Sequence, residues 1–389
     1  MMDASLFISR RLRFKGGIAM VCVAVSYLVM IIAVAVSSGF RNEIRNGLSS
    51  ISGDIQLTPP NLNVLDSSRP IERNPGYLPY IEKVEGVDSV IPVIYRAGIV
   101  KQGDNIHGVL FKGIEGGVDT LSLSVSVPGR LAEIAGLSVG DRLTTYFIGD
   151  KVRLRQFTVS SIYDALVETD DKLIVYADIA DLQRLDGWRE DQVSALEVLM
   201  DDSHKEEYDI WDATQEIGSL VNAYSFDSET PVVAVSSVSK YSQLFDWLNL
   251  IDFNVFIILL LMTVVAGFNM ISGLLIMLFE HIATIGLLKA LGMTDRAISK
   301  VFISSSAVLV LKGMAVGNAL ALLFCVIQEK THILKMNPEN YFVSFVPVNI
   351  NLSAVITADI ISFAVILLLL LIPTLFISKV DPAQTVRVK

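Results

Sequence analysis

The feature that most restricts this chain is a run of 27 residues, 253–279, without a single charged side chain. As a helix at about 1.5 Å per residue it covers ~40 Å, more than the ~30 Å hydrocarbon core of a bilayer. Such a run should therefore tilt, or continue as helix beyond the membrane. Three further stretches are of the same kind: residues 18–36, 301–328 (interrupted only by Lys312) and 360–378. With 52% hydrophobic and 19% charged residues the chain is too apolar for an ordinary soluble protein of 389 residues. Four membrane-spanning helices are predicted. Ala33-Val34-Ala35 has the small-x-small form of a signal-peptide cleavage site, but the apolar run is long for such a peptide.

Charge is divided along the chain. Residues 41–247 hold 18 Lys and Arg against 33 Asp and Glu, a net of −15, while the remainder is net +5. Basic residues flank the spans at Arg10, Arg11, Arg13 and Lys15, at Lys289, Arg296 and Lys300, and at Lys379, Arg387 and Lys389. Loops rich in Lys and Arg stay in the cytosol. Both termini and the segment between the second and third spans are accordingly expected inside, with the acidic region outside. The two cysteines, Cys22 and Cys325, both fall in spans, so the outside region is expected to be held by its core without disulfides.

In the acidic region, residues 37–51 are expected to continue the first span as helix before a strand at 55–58. Strand-like runs follow at 89–100, 106–114, 142–148, 156–163, 172–176 and 193–200. Helical runs lie between them at 78–84, 130–135, 179–185 and 205–221. That mixture predicts an α+β domain inserted between the first two spans.

The segment HIATIGLLKALGMTDRAISK, residues 281–300, sits between the second and third spans. Ile282, Ile285, Leu288 and Leu291 recur every three residues, which places them on one face of a short helix. Gly292 is suited to the positive φ of a helix end, with Lys289 in the last turn against the negative pole of the dipole. Thr294 and Asp295 supply the cap and first-turn acid of the next helix. By geometry alone this helix suits either a lipid surface or a protein partner.

Other patterns lead away from catalysis. GLSVG at residues 136–140 has the letters of a nucleophile elbow, but a helical run precedes it and a strand-like run follows, the reverse of the order that exposes a serine. His107, His204, His281 and His332 are scattered without metal-ligand spacing, and the chain contains no GxxxxGK[ST] phosphate loop. Lys312 lies mid-span, where a charge costs at least ~2.5 kcal/mol. It is expected to face the bundle interior and meet Asn318, Asn269 or backbone carbonyls; a pairing with Asp359 or a place along a polar path is the functional alternative. Gly267, Asn269, Ser272, Gly273, Ser304, Ser305, Ser306, Gly313 and Gly317 suit close helix packing.

Seven stretches occur in an order that resembles the four-span permeases of the lipoprotein-releasing type (LolC/LolE), within the MacB/FtsX-like class of ABC transporters. They are SSGFRNEIRNGLSSISGDIQL, GVDSVIPV, GVLFKGIE, LAEIAGLSVGDRL, FTVSSIYDALVETDDKLIVYADIADLQRL, HIATIGLLKALGMTDRAISKVF and ENYFVSFVPVNIN, followed by the tail DPAQTVRVK. The resemblance implies cytosolic residues 1–16, a first span at 17–37, a periplasmic α+β domain at 38–249 and a second span at 250–279. It further implies a cytosolic coupling helix within 280–298, a third span at 299–328, a periplasmic loop at 329–352, a fourth span at 353–378 and a cytosolic tail at 379–389. The implied protein is a non-enzymatic permease of the bacterial inner membrane. Its partners would be two copies of a separate ABC ATPase, a second permease subunit, lipoprotein cargo and membrane lipids, with no nucleic acid. No cofactor is expected on this chain, and ATP and Mg would act through the ATPase. Ile282, Ile285, Leu288, Lys289, Leu291 and Gly292 would couple to that ATPase. Met30, Ile31, Val34, Phe253, Phe256 and Met262 would wall a lipid or cargo cavity between the first two spans. The family's carrier-binding permease has a long hairpin where this chain has only the short link 149–155. Either this subunit does not recruit a periplasmic carrier or its system recruits one differently. A mechanotransmitting exporter of MacB type and an FtsX-type regulator of cell-wall hydrolases are the alternatives.

Overall fold

The computed structural model describes residues 17–60, 62, 69–102, 105–116, 123–149, 152–165, 173–337, 341 and 343–378. The basic stretch before Gly17, the tail after Ser378 and residues 150–151 of the short link lie outside them. In chain order the elements are α1 (Gly17–Ser52), β1 (Ile55–Thr58), β2 (Ile71–Glu72), α2 (Leu78–Ile81), β3 (Val87–Gln102), β4 (Asn105–Ile114), β5 (Ser124–Pro128), α3 (Gly129–Ala135), β6 (Arg142–Phe147) and β7 (Arg153–Tyr163). They continue with β8 (Ile174–Asp178), α4 (Ile179–Asp186), β9 (Gln192–Val193), β10 (Ala195–Met200), α5 (Glu207–Tyr224), β11 (Val233–Ser236), α6 (Ser237–Lys240), α7 (Ser242–Glu280), α8 (Ile282–Ala290), α9 (Asp295–Thr331), α10 (Leu352–Leu369) and α11 (Leu371–Ser378).

Two compact units result: a membrane unit of residues 1–41, 248–334 and 346–389, and a domain of residues 42–247 and 335–345. Among the described residues four helical segments are long and apolar enough to cross a bilayer: α1, α7, α9 and the pair α10–α11 over Leu352–Leu375. No proline interrupts α1, so its helix runs 36 residues and includes the SSGFRNEIRNGLSSI stretch read as its continuation. Similarly, α7 runs 39 residues, ~58 Å of helix, far beyond what a bilayer core requires.

In the membrane unit the apolar contacts join Val23 and Tyr27 of α1, Ala266, Met270 and Leu274 of α7, Phe302 and Val310 of α9, and Ile366 of α10. Small residues permit this approach. A Cβ on Gly317 of α9 would lie 2.4 Å from the Ala24 carbonyl oxygen of α1, so that crossing requires glycine.

The domain is built on a nine-stranded sheet in the order β11-β1-β10-β3-β4-β8-β5-β7-β6. The 16-residue β3 also pairs with β6, so strands β3-β4-β8-β5-β7-β6 close on themselves. Phe111, Phe147 and Phe157 meet inside that closure at centroid distances of 5.0 to 6.2 Å, among Val100, Val125, Leu143 and Val175. Three strands lie outside the predicted runs, β2, β5 and β11; of these only β5, SVSVP, alternates. All five β5 residues are buried, because it pairs with β7 on one side and β8 on the other.

The GLSVG stretch is a helix exit and not a nucleophile elbow. Gly136 ends α3 with φ +63°, and the Ser138 amide donates to Asp141 Oδ2 at 2.8 Å before β6 begins.

Candidate functional site

The segment joining the second and third spans folds from local signals. Helix α8 spans nine residues, and the chain leaves it through Gly292 at φ +87°. The Gly292 amide donates to Lys289 O (2.9 Å) and the Met293 amide to Leu288 O (2.9 Å), which satisfies carbonyls at the helix end. Thr294 Oγ1 accepts the Ala297 amide at 3.4 Å and opens α9. Lys289 forms a 2.9 Å ion pair with Asp295, so it ties the end of α8 to the start of α9.

The face that α8 presents differs from the one its three-residue spacing suggested. Ile285 is 1% exposed and packs with the spans, and Leu288 lies against the same cluster. Exposed instead are Leu291 (76%), Leu287 (55%) and Ile282 (38%). The physical reason is that IATIGLLKA is apolar nearly all round. The bundle takes one side, and apolar surface is still left on the other. Ile285 and Leu288 therefore anchor the helix, and the apolar surface left open is that of Leu287, Leu291 and Ile282.

The six residues expected to wall one cavity are divided. Met30 and Ile31 are buried inside the bundle, Ile31 beside Ala321 and Val355. Phe253 and Phe256 are 61% and 60% exposed on α7, while Val34 and Met262 are half-buried. A helix shows its sides in turn every 3.6 residues, so nearness in sequence did not bring these side chains to one wall.

A polar latch joins the domain-side ends of α1 and α7. Arg41 Nε donates to Asp252 Oδ2 (3.0 Å), and Arg41 Nη2 donates to Asn249 Oδ1 (2.9 Å) and to Asp252 Oδ2. Ser37 Oγ donates to the other Asp252 oxygen. Arg41 keeps 20% of its side chain exposed and Asp252 keeps 41%. Sequence reading missed this group. The available signal was an acid placed at the edge of a very long apolar helix.

Lys312 does not face the bundle interior. It is exposed on α9 and makes no ion pair among the described residues. Asp359 is instead met by Asn318, whose Nδ2 donates to Oδ2 at 2.6 Å between α9 and α10. The Ser362 hydroxyl, one turn on, lies 3.0 Å from the Tyr27 hydroxyl of α1.

Residues 256–382 match the family of FtsX-like permease C-terminal domains. Across nearly the whole length the chain is similar to the lipoprotein-releasing system transmembrane protein LolC of Xylella fastidiosa strain Temecula1, with 22% identity over 94% of this chain and 92% of that one. To LolC of Neisseria meningitidis serogroup B it is 23% identical, over 97% of this chain and 96% of that one. Two solved domains are matched over about half of this chain. The periplasmic region of MacB from Actinobacillus actinomycetemcomitans has a TM-score of 0.31 at 14% identity, covering 49% of this chain and 91% of that one. The extracellular domain of the ABC-type transporter YknZ has a TM-score of 0.29 at 12% identity, covering 47% and 98%. With the FtsX-like match over the membrane helices and the LolC similarity running through the inserted domain as well, the chain is similar in its whole layout to LolC-type ABC permeases: four helices long and apolar enough to cross a membrane, with an α+β domain inserted between the first two.

Proposed function

We propose that this chain is the permease subunit of an ATP-driven transporter that extracts lipoproteins from the bacterial inner membrane for sorting to the outer membrane. The observation that supports it is similarity to LolC over 94–97% of the chain, periplasmic domain included. ATP and Mg are handled by a separate ATPase in two copies, and a second permease subunit completes the pair. Both termini and α8 lie in the cytosol, where Leu287, Leu291 and Ile282 meet the ATPase, while Lys289 and Gly292 hold the turn that presents them. Removing acyl chains from lipid costs ~0.8 kcal/mol per CH₂, so release is coupled to hydrolysis. The cargo path runs between α1 and α7, past the latch of Arg41 and Asp252.

Depletion of the protein followed by membrane fractionation tests this reading. Mature lipoproteins should accumulate in the inner membrane. Normal lipoprotein sorting in depleted cells would overturn it.

A further inference from the structure

At the end of the α1–α7 pair away from the latch lies an open cavity of about 300 Å³, lined by both helices. Its walls include Ile18 and Cys22 of α1 and Asn269 and Ile276 of α7, with Glu280 and His281 where α7 ends. The polar groups are graded along it. Asn269 lies eleven residues before Glu280, about 16 Å deeper along the helix. Its amide makes no hydrogen bond among the described residues. His281 Nδ1 is 3.1 Å from Met277 O and donates to it, which leaves Nε2 as an acceptor. Glu280 has no ion-pair partner among the described residues. This end of the cavity therefore offers a carboxylate and a lone pair, and its wall is mostly apolar, with Asn269 and Ser272 as its other polar side chains.

We propose that this cavity binds a phospholipid carrying a primary ammonium headgroup, such as the ethanolamine type. The ammonium donates to Glu280 and His281, and an acyl chain lies along Ile18 and Ile276. A small soluble cation has no use for the apolar wall, and an anionic lipid places its charge against Glu280. A quaternary ammonium headgroup lacks N–H donors for the two acceptors. The site lies at the opposite end of the α1–α7 pair from the latch on the cargo path. It rests on the reading above only for which leaflet supplies the lipid.

Cys22 is half-buried in the cavity wall and Cys325 is buried in the bundle, so Cys22 is a native reporter. The full-length protein carrying Cys325→Ala is placed in nanodiscs of phosphatidylethanolamine, phosphatidylcholine or phosphatidylglycerol, and the rate of maleimide labelling at Cys22 is measured. Labelling should be about fivefold slower in phosphatidylethanolamine than in the other two, the factor that one solvent-accessible charged contact supplies. Glu280→Gln should remove the difference, while Ile276→Trp should slow labelling in every lipid by filling the space. Equal rates in all three lipids, including no labelling at all, would mean that ordinary tails, the chain's own residues 1–16 or a second subunit fill the cavity, and would overturn the proposal. So would slowest labelling in phosphatidylglycerol, or a lipid difference that survives Glu280→Gln. Nanodiscs expose both faces and require no transport, so an error in orientation or cargo cannot imitate any of these results.

Discussion

The buried cluster around Lys112 in the domain and the latch around Arg41 in the membrane unit hold their charges differently. In the domain, Lys112 of β4 is 3% exposed, and its ammonium donates to Glu197 Oε2 (2.8 Å), Ser50 O (2.7 Å) and Ile51 O (3.2 Å). Those carbonyls are in the last turn of α1, so a buried cation meets the negative pole of the helix that begins in the membrane. The Tyr95 hydroxyl lies within reach of Ile51 O (2.9 Å) and of the other Glu197 oxygen. Burial holds the Lys112 ammonium below its usual range and pushes the Glu197 carboxyl up, and their mutual attraction opposes both shifts. In the membrane unit the latch is partly open to solvent, Asn269 makes no hydrogen bond among the described residues and Lys312 points outward. A saturated buried network fixes one arrangement. Polar groups left at an edge can exchange protein partners for headgroups or water.

The comparison is broken most directly at Lys112. Lys112→Met leaves the Glu197 carboxylate buried without its cation and two α1 carbonyls without their donor, which should cost about 3–5 kcal/mol. All three tryptophans, Trp188, Trp211 and Trp247, belong to the domain. Urea unfolding of the full-length protein followed by tryptophan fluorescence therefore reports it. The double variant Lys112→Met with Glu197→Leu should recover much of the loss, because paired apolar replacements remove the stranded charge. A single variant within about 1 kcal/mol of wild type would show that the network fixes nothing.

A smaller effect is expected at the latch, where both partners are partly solvated. Asp252→Ala should free the domain-side ends of α1 and α7 by about 1 kcal/mol, read as a roughly fivefold faster thiol labelling of Ser37→Cys. Exchanging the charges, Arg41→Asp with Asp252→Arg, should restore slow labelling. If the exchange behaves like Asp252→Ala, packing and not charge holds the ends together.

What could be read from sequence was what is local. The spans, the helical continuation of α1, the positive φ of Gly292 and the Thr294 cap each follow from residues within one or two turns of one another. The facing of α8 could not be read, because a helix apolar on every side does not say which side a bundle will cover. Arg41 and Asp252 lie 211 residues apart and Lys112 and Glu197 lie 85 apart, so neither pairing leaves a mark in sequence spacing. Met30 and Ile31 are buried while Phe253 and Phe256 are exposed, a difference set by rotation about the helix axis, which hydrophobicity alone does not reveal. For β5 the period-2 signal is present in SVSVP but short, whereas VAVS of β11 carries no such alternation.

The smallest effect sharpens the comparison within one helix. Lys312 and Asn318 lie six residues apart on α9, and six residues at 100° each turn the side chain through 600°, about 120° from its starting direction past whole turns. Asn318 reaches Asp359 on α10, whereas Lys312 is exposed. An exposed lysine that holds no partner can carry its ammonium along the helix toward water or headgroups on a flexible four-carbon stem. Lys312→Leu should then shift thermal unfolding of the detergent-solubilised chain by less than about 0.5 kcal/mol, as for a surface substitution. A loss above about 2 kcal/mol would place Lys312 in the buried class with Lys112, since only a charge committed to buried partners costs that much to delete.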